Sequence, residues 1–474
     1  MKMLISGEWI AKKETIDVLN PLDGSLVDTV PRGSAEDVDA AIESAVRGFH
    51  INRDLPAHRR ITILFKAAEL MRERYEELAR TIATEGSKTI TEARKEVGRA
   101  INTMTISAEE ARRIDGETLP FDSAEGSENR VGYYFRFPIG VIAAITPFND
   151  PLNLVAHKLG PAIAGGNSVV LKPATVTPLS ALKLAEILLQ AGLPGEVLNV
   201  VTGPGGEIGE ALVRDERVRM VSFTGGVEAG ERIAKLAGLK KIGMELGGNA
   251  PVIVDEDCDL DEAVESCVSG AFWAVGQNCI GVQRVLIHGA IYERFRDAFA
   301  ARTDRYKVGD QLDEETDMGP MITESEAKRV VDWVEEAVAM GAKLLAGGTR
   351  EGTLVRPTVL EGVAARAKLG CQEVFGPVVT LQPYGTLDEA IEIANSVDVG
   401  LHGAIFTNDL NRAFYAIKRM DVGGIMVNDS SDYRVDLMPF GGVKKSGLGR
   451  EGIRFALQEM TEPKVVCFNL REPD

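Results

Sequence analysis

The amino-acid sequence predicts an α/β protein whose parallel sheets are covered by helices on both faces. Between residues 139 and 240, short apolar runs alternate with longer amphipathic stretches. The runs are Ile139–Ile145, Ser168–Leu171, Val197–Val201 and Met220–Phe223. Runs of this length are typical of buried strands, whereas the stretch from Leu179 to Ala191 carries its apolar residues at helical spacing. Strand–helix–strand units of this size form right-handed crossovers, which make the strands parallel.

A second α/β unit is predicted over residues 247 to about 445. Helix starts are marked by a hydroxyl side chain that is followed three residues later by an acid. This capping pattern occurs at Ser34–Asp37, Thr323–Glu326 and Thr386–Glu389. No internal repeat, low-complexity tract or Pro/Gly/Ser-rich linker separates the two units, so we expect them to pack against each other.

Length and composition exclude several classes of function. The chain has 474 residues, of which 45% are hydrophobic and 26% charged, as in a globular protein of two or three domains. A formal net charge of −18 disfavours nucleic acid or an anionic membrane as a partner. The N-terminus lacks the pattern of a signal peptide, and five scattered cysteines do not suggest a disulfide framework. We therefore expect a cytoplasmic protein without nucleic-acid or membrane partners.

Three polar residues stand where chemistry is possible. Cys279 lies in the small, polar segment Gly-Gln-Asn-Cys-Ile-Gly, which suits either a reactive thiol or a structural one. Glu245 lies at a predicted strand end before two glycines, and is either a general base with a raised pKa or a salt-bridged carboxylate. Asn149 follows another strand, where its amide could donate to an oxyanion or close a turn before Pro151. No cysteines are paired at metal-ligand spacing, so no metal site is predicted.

The loops after the next three strands are candidates for dinucleotide binding, although no GxGxxG fingerprint follows the first strand. Lys172-Pro-Ala-Thr175 follows the second strand, and a lysine and a hydroxyl there could meet a ribose. Gly203–Gly206 and Phe223–Gly226 follow the third and fourth strands. Glycines at a helix start can bind phosphate, but glycine after a strand often only makes a turn.

The order of these motifs is more specific than any one of them. The ordered segments are Thr146–Pro151, Lys172–Thr175, Phe223–Gly226, Glu245–Asn249, Gly276–Cys279, Glu373–Pro377 and Pro439–Gly442. This series resembles the aldehyde dehydrogenase superfamily over essentially the whole chain. Asn428–Ser431 and Met438–Gly452 most resemble lactaldehyde and related small-aldehyde dehydrogenases. The resemblance implies two doubly wound α/β domains and a small β element used in oligomerisation.

The resemblance also implies a role for each candidate residue. Cys279 is the expected nucleophile, Glu245 the expected general base, and the Asn149 amide with the Cys279 backbone N–H the expected oxyanion hole. The expected cofactor is NAD+ or NADP+. Its expected contacts are Thr146, Pro147, Phe148, Lys172, Thr175, Gly205, Gly209, Phe223, Thr224, Gly225, Leu246, Glu373 and Phe375. Because relatives that transfer the acyl group to coenzyme A are expected to lack a carboxylate at this position, Glu245 predicts hydrolysis.

Thr175 departs from the pattern of many NAD-preferring members, which carry glutamate at this position. A glutamate accepts hydrogen bonds from the ribose hydroxyls and repels a 2′-phosphate, whereas threonine tolerates that phosphate beside Lys172. We therefore expect NADP+ to be usable, with NAD+ not excluded.

The predicted substrate pocket is more polar than in dehydrogenases of apolar aldehydes. Its expected residues are Arg99, Asn149, His157, Asn278, Arg434 and Phe440. Two arginines and a histidine that converge on one tunnel would form an anion clamp. The expected substrate is therefore lactaldehyde or a small aldehyde that bears a sulfonate, phosphonate or phosphate. The alternatives within the family are a non-phosphorylating glyceraldehyde-3-phosphate dehydrogenase and a semialdehyde dehydrogenase.

Two alternatives outside this activity fit the residues less well. A cysteine-dependent thioester or ester hydrolase without redox chemistry does not explain Lys172 and Glu373. A non-catalytic, crystallin-like protein is expected to have lost Cys279, Glu245 or Asn149, and all three are present.

The resemblance also divides the chain into domains. Residues 1–120 and 140–246 are expected to form the dinucleotide-binding domain, and 247–445 the catalytic domain that carries Cys279. Residues 121–139 and 461–474 are expected to be bridging strands. Val465, Val466 and Phe468 would extend the sheet of a neighbouring subunit, so a homodimer or homotetramer is expected.

Overall fold

The structure, a computed structural model, describes residues 1–471. Residues 472–474, the end of the predicted bridging segment 461–474, lie outside the described residues. Two large sheets and one small sheet organise the chain. Among residues 1–471, no helix is long and apolar enough to cross a lipid bilayer.

The first sheet has eight strands, and its five central strands are parallel. In order across the sheet, the strands are Glu8–Ile10, Met3–Ile5, Leu198–Val200, Ser168–Lys172, Val141–Ile145, Val218–Thr224, Lys241–Glu245 and Gly447–Leu448. Alternate residues of the central strand enter different cores: Ile142 and Ala144 face one, while Val141, Ala143 and Ile145 face the other. Helices therefore cover both faces, as the continuous apolar runs predict.

The second sheet has seven strands and is built in the same way. In order, they are Lys343–Ala346, Thr358–Glu361, Val378–Tyr384, Val282–His288, Ala250–Val254, His402–Phe406 and Gly424–Val427. Only the first of these, an edge strand, runs antiparallel to its neighbour. Val252 and Val254 enter the larger core of this unit and Ile253 the smaller one, so this sheet is also covered on both faces.

Helices connect the strands, and the predicted helix starts are confirmed. Ser34, Thr323 and Thr386 each accept a hydrogen bond from the backbone N–H three residues later. The α-helices are Ala35–Asp54, Ala57–Glu73, Tyr75–Glu85, Ile90–Glu110, Asn153–Ala164, Leu179–Gln190, Gly205–Arg214, Val227–Ala237, Leu260–Phe272, Tyr292–Thr303, Glu324–Ala339, Lys368–Cys371, Leu387–Asn395, Leu410–Arg419 and Ile453–Glu459. Short 3-10 helices span Ala111–Arg113, Phe121–Ser123 and Trp273–Gly276.

The small sheet contains the predicted bridging strands. Arg130–Pro138 pairs antiparallel with Thr461–Asn469 on one side and with Glu117–Leu119 on the other. Glu117–Leu119 therefore belongs to this sheet, although the predicted boundary at residue 120 assigned it to the dinucleotide-binding region. The remaining described strands form three two-stranded sheets: Thr15–Leu19 with Leu26–Pro31, Arg350–Glu351 with Leu354–Val355, and Val399–Gly400 with Val443–Lys444.

Candidate active site

Cys279 lies on the loop between the 3-10 helix Trp273–Gly276 and the strand Val282–His288. The loop packs closely on its neighbours, because a Cβ on Gly248 would lie only 2.3 Å from the Cys279 carbonyl oxygen. Burial, and then the Glu373 carboxylate, raise the pKa of the thiol to about 12. The thiol is therefore protonated at neutral pH and needs a base before it can act as a nucleophile.

Glu245 ends the strand Lys241–Glu245 and lies beside Thr224 in the parallel register. It is 5% exposed, and its Oε2 has no hydrogen-bond partner among residues 1–471. Burial, and then the neighbouring Glu451 carboxylate, raise the pKa of Glu245 well above its ordinary value. A carboxylate with a raised pKa accepts protons more readily near neutral pH, so Glu245 is suited to act as a general base.

Glu451 is the second carboxylate of this pair and keeps its negative charge. Burial raises its pKa, but Lys158 and Arg434 outweigh this effect and hold the pKa below its ordinary value. The Lys158 Nζ lies 3.0 Å from Glu451 Oε1 and donates to the Ser222 hydroxyl at 3.1 Å. Among the described residues, Glu451 forms ion pairs with Lys158 and Arg434 and Glu245 forms none, so the two carboxylates titrate apart and Glu245 is the one that can exchange a proton.

The three predicted catalytic residues, Cys279, Glu245 and Asn149, line one cavity of about 510 Å³. The loop that carries Asn149 is held by Lys88, whose buried ammonium group forms an ion pair with Asp150. A nucleophile, a base and an amide donor in one cavity can form an acyl-cysteine and hydrolyse it. Among residues 1–471, no group of three His, Cys, Asp or Glu side chains is arranged to hold a metal ion.

A second cavity, of about 810 Å³, opens beside the first sheet. Five of the predicted cofactor residues line it: Lys172, Thr175, Gly205, Gly209 and Phe223. Burial lowers the pKa of Lys172 to about 8, and its Nζ donates to the Pro173 carbonyl at 3.0 Å. The helix Gly205–Arg214 begins at this groove, and a helix N-terminus suits an anionic group such as a pyrophosphate.

Other predicted cofactor residues lie outside this groove, and three of them, Thr224, Glu373 and Phe375, line cavities that Cys279 also lines. The hydroxyls of Thr146 and Thr224 are buried, and no described residue accepts or donates a hydrogen bond there. Glu373 and Phe375 line a small gap next to Cys279, and Glu373 accepts a hydrogen bond from the Gly248 N–H at 2.9 Å. The unpartnered hydroxyls and the glycine-lined groove fit a nicotinamide dinucleotide, whose ribose and phosphate groups would supply the missing partners.

The remaining predicted contacts support this arrangement through packing. The Phe148 ring meets the Phe375 ring edge-on, with centroids 5.7 Å apart. Pro147 precedes Phe148 and is partly exposed, whereas Leu246 is buried in the core of the first sheet. A Cβ on Gly225 would lie 2.5 Å from the Phe223 ring, so any larger residue beside the groove would have to displace that ring.

Four of the predicted substrate residues besides Asn149 line the catalytic cavity, but His157 does not. The four are Arg99, Asn278, Arg434 and Phe440. His157 is 1% exposed, and its Nε2 lies 2.9 Å from Asp436 Oδ1. Burial, and then Arg434, lower the pKa of His157, so the imidazole is neutral. The predicted three-member clamp is therefore reduced to two arginines, because the histidine lies behind the cavity wall.

Both arginines already face a carboxylate. Arg99 Nη2 lies 3.0 Å from Asp436 Oδ1, and Arg434 Nη2 lies 3.3 Å from Glu451 Oε2. The Arg434 guanidinium also stacks 3.7 Å above the Phe440 ring. The Nε atoms of both arginines are buried without a partner among the described residues. The two carboxylates thus partly balance the positive charge of the cavity, and the two Nε–H groups remain available to donate hydrogen bonds.

Comparison with known proteins decides the family. The model of the aldehyde dehydrogenase family matches residues 9–466. The chain belongs to this family. This match confirms the family that the ordered motifs resembled, and it also confirms the predicted fold.

Some relatives within the aldehyde dehydrogenase family are named for aldehydes that carry an acidic group. Aspartate-semialdehyde dehydrogenase 1 of Pseudomonas canavaninivorans is 55% identical over 455 residues, which are 96% of this chain and 97% of that protein. The 3-sulfolactaldehyde dehydrogenase of Priestia megaterium is 48% identical over 468 residues, 99% of this chain and 98% of that protein. A crystal structure of glyceraldehyde-3-phosphate dehydrogenase GapN from Methanocaldococcus jannaschii, complexed with NADP, has a TM-score of 0.93 at 41% identity, and the match covers 97% of this chain and 100% of that one.

Sequence reasoning missed three charged residues of this aldehyde dehydrogenase site: Lys158, Asp436 and Glu451. Lys158 offered a signal, since it is a single lysine in the mostly apolar helix Asn153–Ala164. Asp436 and Glu451 lie within or beside motifs that the sequence singled out, but neither shows from its neighbours that it pairs with Arg99 or Arg434. Asp436 and Arg99 are 337 residues apart, and Glu451 and Lys158 are 293 apart, so only the fold reveals these two pairs.

Proposed function

We propose that this aldehyde dehydrogenase oxidises a small polar or anionic aldehyde to the carboxylate, with NAD+ or NADP+ and a thioester on Cys279. The observation that carries the proposal is the single cavity lined by Cys279, Glu245 and Asn149. The cavity is large enough for an aldehyde of a few carbon atoms, and the cofactor groove supplies a place for the dinucleotide.

The chain's own groups account for the proton and charge movements. The Cys279 thiol gives its proton to a water molecule, its sulfur attacks the aldehyde carbon, and the Asn149 amide and the Cys279 backbone N–H donate to the oxyanion that forms. Each such donor lowers the barrier by about 3–4 kcal/mol in comparable sites. When bound, the nicotinamide supplies a hydride acceptor, which oxidises the cysteine adduct to the thioester.

Glu245 then acts as the base for hydrolysis. It takes a proton from a water molecule, the water oxygen attacks the thioester carbon, and the carbon–sulfur bond breaks to release the acid, while Glu245 returns the proton to the Cys279 sulfur. The raised pKa of Glu245 supports this role, as does the charge of Glu451, which Lys158 stabilises. We therefore propose a hydrolytic enzyme that does not transfer the acyl group to coenzyme A.

Thr175 supports the use of NADP+ as well as NAD+. Its hydroxyl donates to the Gly203 carbonyl at 3.2 Å, so the side chain adds no negative charge to the groove beside Lys172. The GapN structure with NADP gives a precedent in a relative with the same fold.

The charges around the cavity support an anionic substrate. Arg434 is nine-tenths buried and Arg99 is about one-third exposed, and each keeps an unpartnered Nε. The relatives named for aspartate semialdehyde and sulfolactaldehyde both act on aldehydes with an acidic group. The 55% identity with the former favours a semialdehyde as the second candidate substrate.

A panel of aldehydes tests both the activity and the charge preference. Lactaldehyde, sulfolactaldehyde, glyceraldehyde 3-phosphate, succinate semialdehyde and aspartate semialdehyde would each be assayed with both cofactors. We expect at least one acidic aldehyde to exceed lactaldehyde about tenfold in kcat/KM, and Arg434→Ala to remove that advantage without abolishing lactaldehyde oxidation. The control is Arg350→Ala, which changes a half-buried arginine outside both cavities. If Arg434→Ala leaves the preference intact, the anion hypothesis is wrong, and if the wild type reduces neither cofactor with any aldehyde, the proposed activity is wrong.

We also propose that the small sheet joins subunits of a homodimer or homotetramer. Val465 and Phe468 are 58% and 50% exposed on the strand Thr461–Asn469, although they are large and apolar. This strand pairs with Arg130–Pro138 on one edge only among the described residues. An open edge beside exposed apolar side chains is suited to extension by a second copy.

A further inference from the structure

The chain reaches Cys279 through a turn with a left-handed backbone. Ala274 has φ 50° and ψ 37°, Val275 has φ 62° and ψ 30°, and Gly276 has φ 65°. This region is unfavourable for residues with a side chain, and a β-branched residue such as Val275 is an outlier there. Such backbone persists only where the surrounding structure holds it, and it is concentrated at active sites. The contacts that hold this turn therefore bear on the nucleophile.

Glu92, on the helix Ile90–Glu110, makes one of these contacts. Its Oε1 accepts a hydrogen bond from the Ala274 N–H at 2.8 Å, and its Oε2 accepts one from the Thr89 N–H at 2.9 Å. The side chain is buried, with 5% exposure for the residue. A buried carboxylate that accepts two backbone N–H groups is a strong and directional anchor, because leaving either group unpaired is costly.

The later residues of the loop have anchors of their own. A Cβ on Gly276 would lie 2.3 Å from the Gly376 carbonyl oxygen, so the backbones pack directly against each other there. The Gln277 Oε1 accepts a hydrogen bond from the Ile322 N–H at 3.1 Å. These two contacts attach the loop to the catalytic unit, whereas Glu92 attaches its first left-handed residue to a helix from the N-terminal part of the chain.

We propose that Glu92 is a positioning residue, which holds the left-handed turn and thereby orients the Cys279 thiol and backbone N–H toward the substrate. Ala274 and Cys279 line the catalytic cavity, but Glu92 does not, so it acts through the turn and not on the substrate. The inference rests on the proposed role of Cys279 as the nucleophile. Misplacement of a reacting group by about 1 Å can cost about a hundredfold in rate, so a loosened turn has a measurable effect.

The main test is Glu92→Gln. The glutamine side chain has one acceptor oxygen, so it can serve only one of the two backbone N–H groups that Glu92 serves. We expect kcat to fall about tenfold or more while the KM for the cofactor stays within twofold. We also expect the rate at which iodoacetamide alkylates Cys279 to change at least threefold. Mass spectrometry of the peptide that contains Cys279 measures this rate. This second measurement needs no aldehyde, so it tests Glu92 even if the proposed activity is wrong.

Thr89→Ala is the matched control, because it separates the turn from the helix cap. The Thr89 hydroxyl accepts a hydrogen bond from the Glu92 N–H at 3.4 Å and caps the same helix. Its removal is expected to lower the melting temperature while kcat and Cys279 alkylation stay within twofold. If Glu92→Gln does not fold, Glu92→Asp replaces it, since the shorter side chain keeps the charge and withdraws the carboxylate from Ala274.

A rescue experiment makes the role of the turn specific. Glycine adopts the left-handed conformation without strain, so Ala274→Gly with Val275→Gly lowers the need for an anchor. In the Glu92→Gln background, these changes are expected to restore kcat at least threefold, whereas the melting temperature is expected to fall because the core loses the buried Val275 side chain. The proposal is overturned if Glu92→Gln leaves kcat and alkylation within twofold of wild type, if Thr89→Ala lowers them equally, or if the glycine variants give no rescue.

Discussion

Lys158→Met removes the counter-ion that keeps Glu451 charged next to Glu245. Lys158 is 1% exposed, and its Nζ lies 3.0 Å from Glu451 Oε1. At an effective dielectric constant of about 20, two unit charges at this distance attract each other by about 5 kcal/mol. Breaking a buried pair by removing one partner costs about 3–5 kcal/mol, and Arg434 at 3.3 Å retains part of the compensation. We therefore expect a loss of about 3 kcal/mol.

The melting temperature at fixed protein concentration and scan rate measures this loss. For 474 residues, an unfolding entropy of about 2.1 cal/mol/K per residue makes about 1 kcal/mol equivalent to about 1 °C, so the expected decrease is about 3 °C at pH 7.5. In the wild type, the lowered pKa of Glu451 stabilises the fold above the ordinary value of 4.5, and this contribution is lost as the pH falls. In the variant the pKa of Glu451 rises, so the deficit should shrink as the pH approaches 5.

The exposed pair of Lys445 and Asp398, 3.1 Å apart, provides the control. Lys445→Met should leave the melting temperature unchanged within about 1 °C, because exposed ion pairs are screened by solvent. The reasoning would be refuted if Lys158→Met had no larger effect than Lys445→Met, or if its deficit did not depend on pH.

The remaining predictions concern catalysis, cofactor choice and assembly. Glu245→Gln should slow turnover about a hundredfold or more, because the thioester forms and is not hydrolysed. A rapid burst of about one reduced cofactor per Cys279 should remain in stopped-flow absorbance, and absence of this burst would contradict the role of Glu245 as the base for hydrolysis. The raised pKa of Glu245 predicts that wild-type thioester hydrolysis speeds up as the pH rises through that pKa, and single-turnover rates across pH would show it. Asn149→Ala should lower kcat about 100- to 1000-fold with little change in the KM of the aldehyde, and equal changes in both would argue against an oxyanion donor. Thr175→Glu should reduce kcat/KM for NADP+ about tenfold or more while NAD+ is retained, and parallel losses would remove the steric and charge argument. Phe468→Asp should shift the protein toward monomers in light scattering, and an unchanged mass would show that the open strand edge is not the subunit contact.

The sequence predicted those features that depend on local pattern. The strand Val141–Ile145 and the helix Leu179–Gln190 lie within a residue or two of the predicted ranges, because continuous apolar runs and helical periodicity are local properties. Glu245 and Asn149 were found at predicted strand ends, and Cys279 was found in a small, polar, glycine-flanked segment. The order of the motifs then gave the resemblance to the aldehyde dehydrogenase superfamily, which implied their roles in one site.

The charge balance of the pocket could not be predicted, because it depends on pairs that are distant in the chain. Arg99 and Asp436 are 337 residues apart, and Lys158 and Glu451 are 293 apart, yet both pairs meet at about 3.0 Å. From the sequence alone, an arginine at a tunnel position suggests an unpaired positive charge, because the carboxylate that pairs with it cannot be identified. In the fold, Asp436 is shared by Arg99 and His157, so the histidine is withdrawn from the substrate and one arginine is partly neutralised. The selectivity that we propose for an anionic group therefore depends on the unpartnered Nε atoms and on how far Arg434 can leave Glu451, and not on the number of basic residues in the sequence.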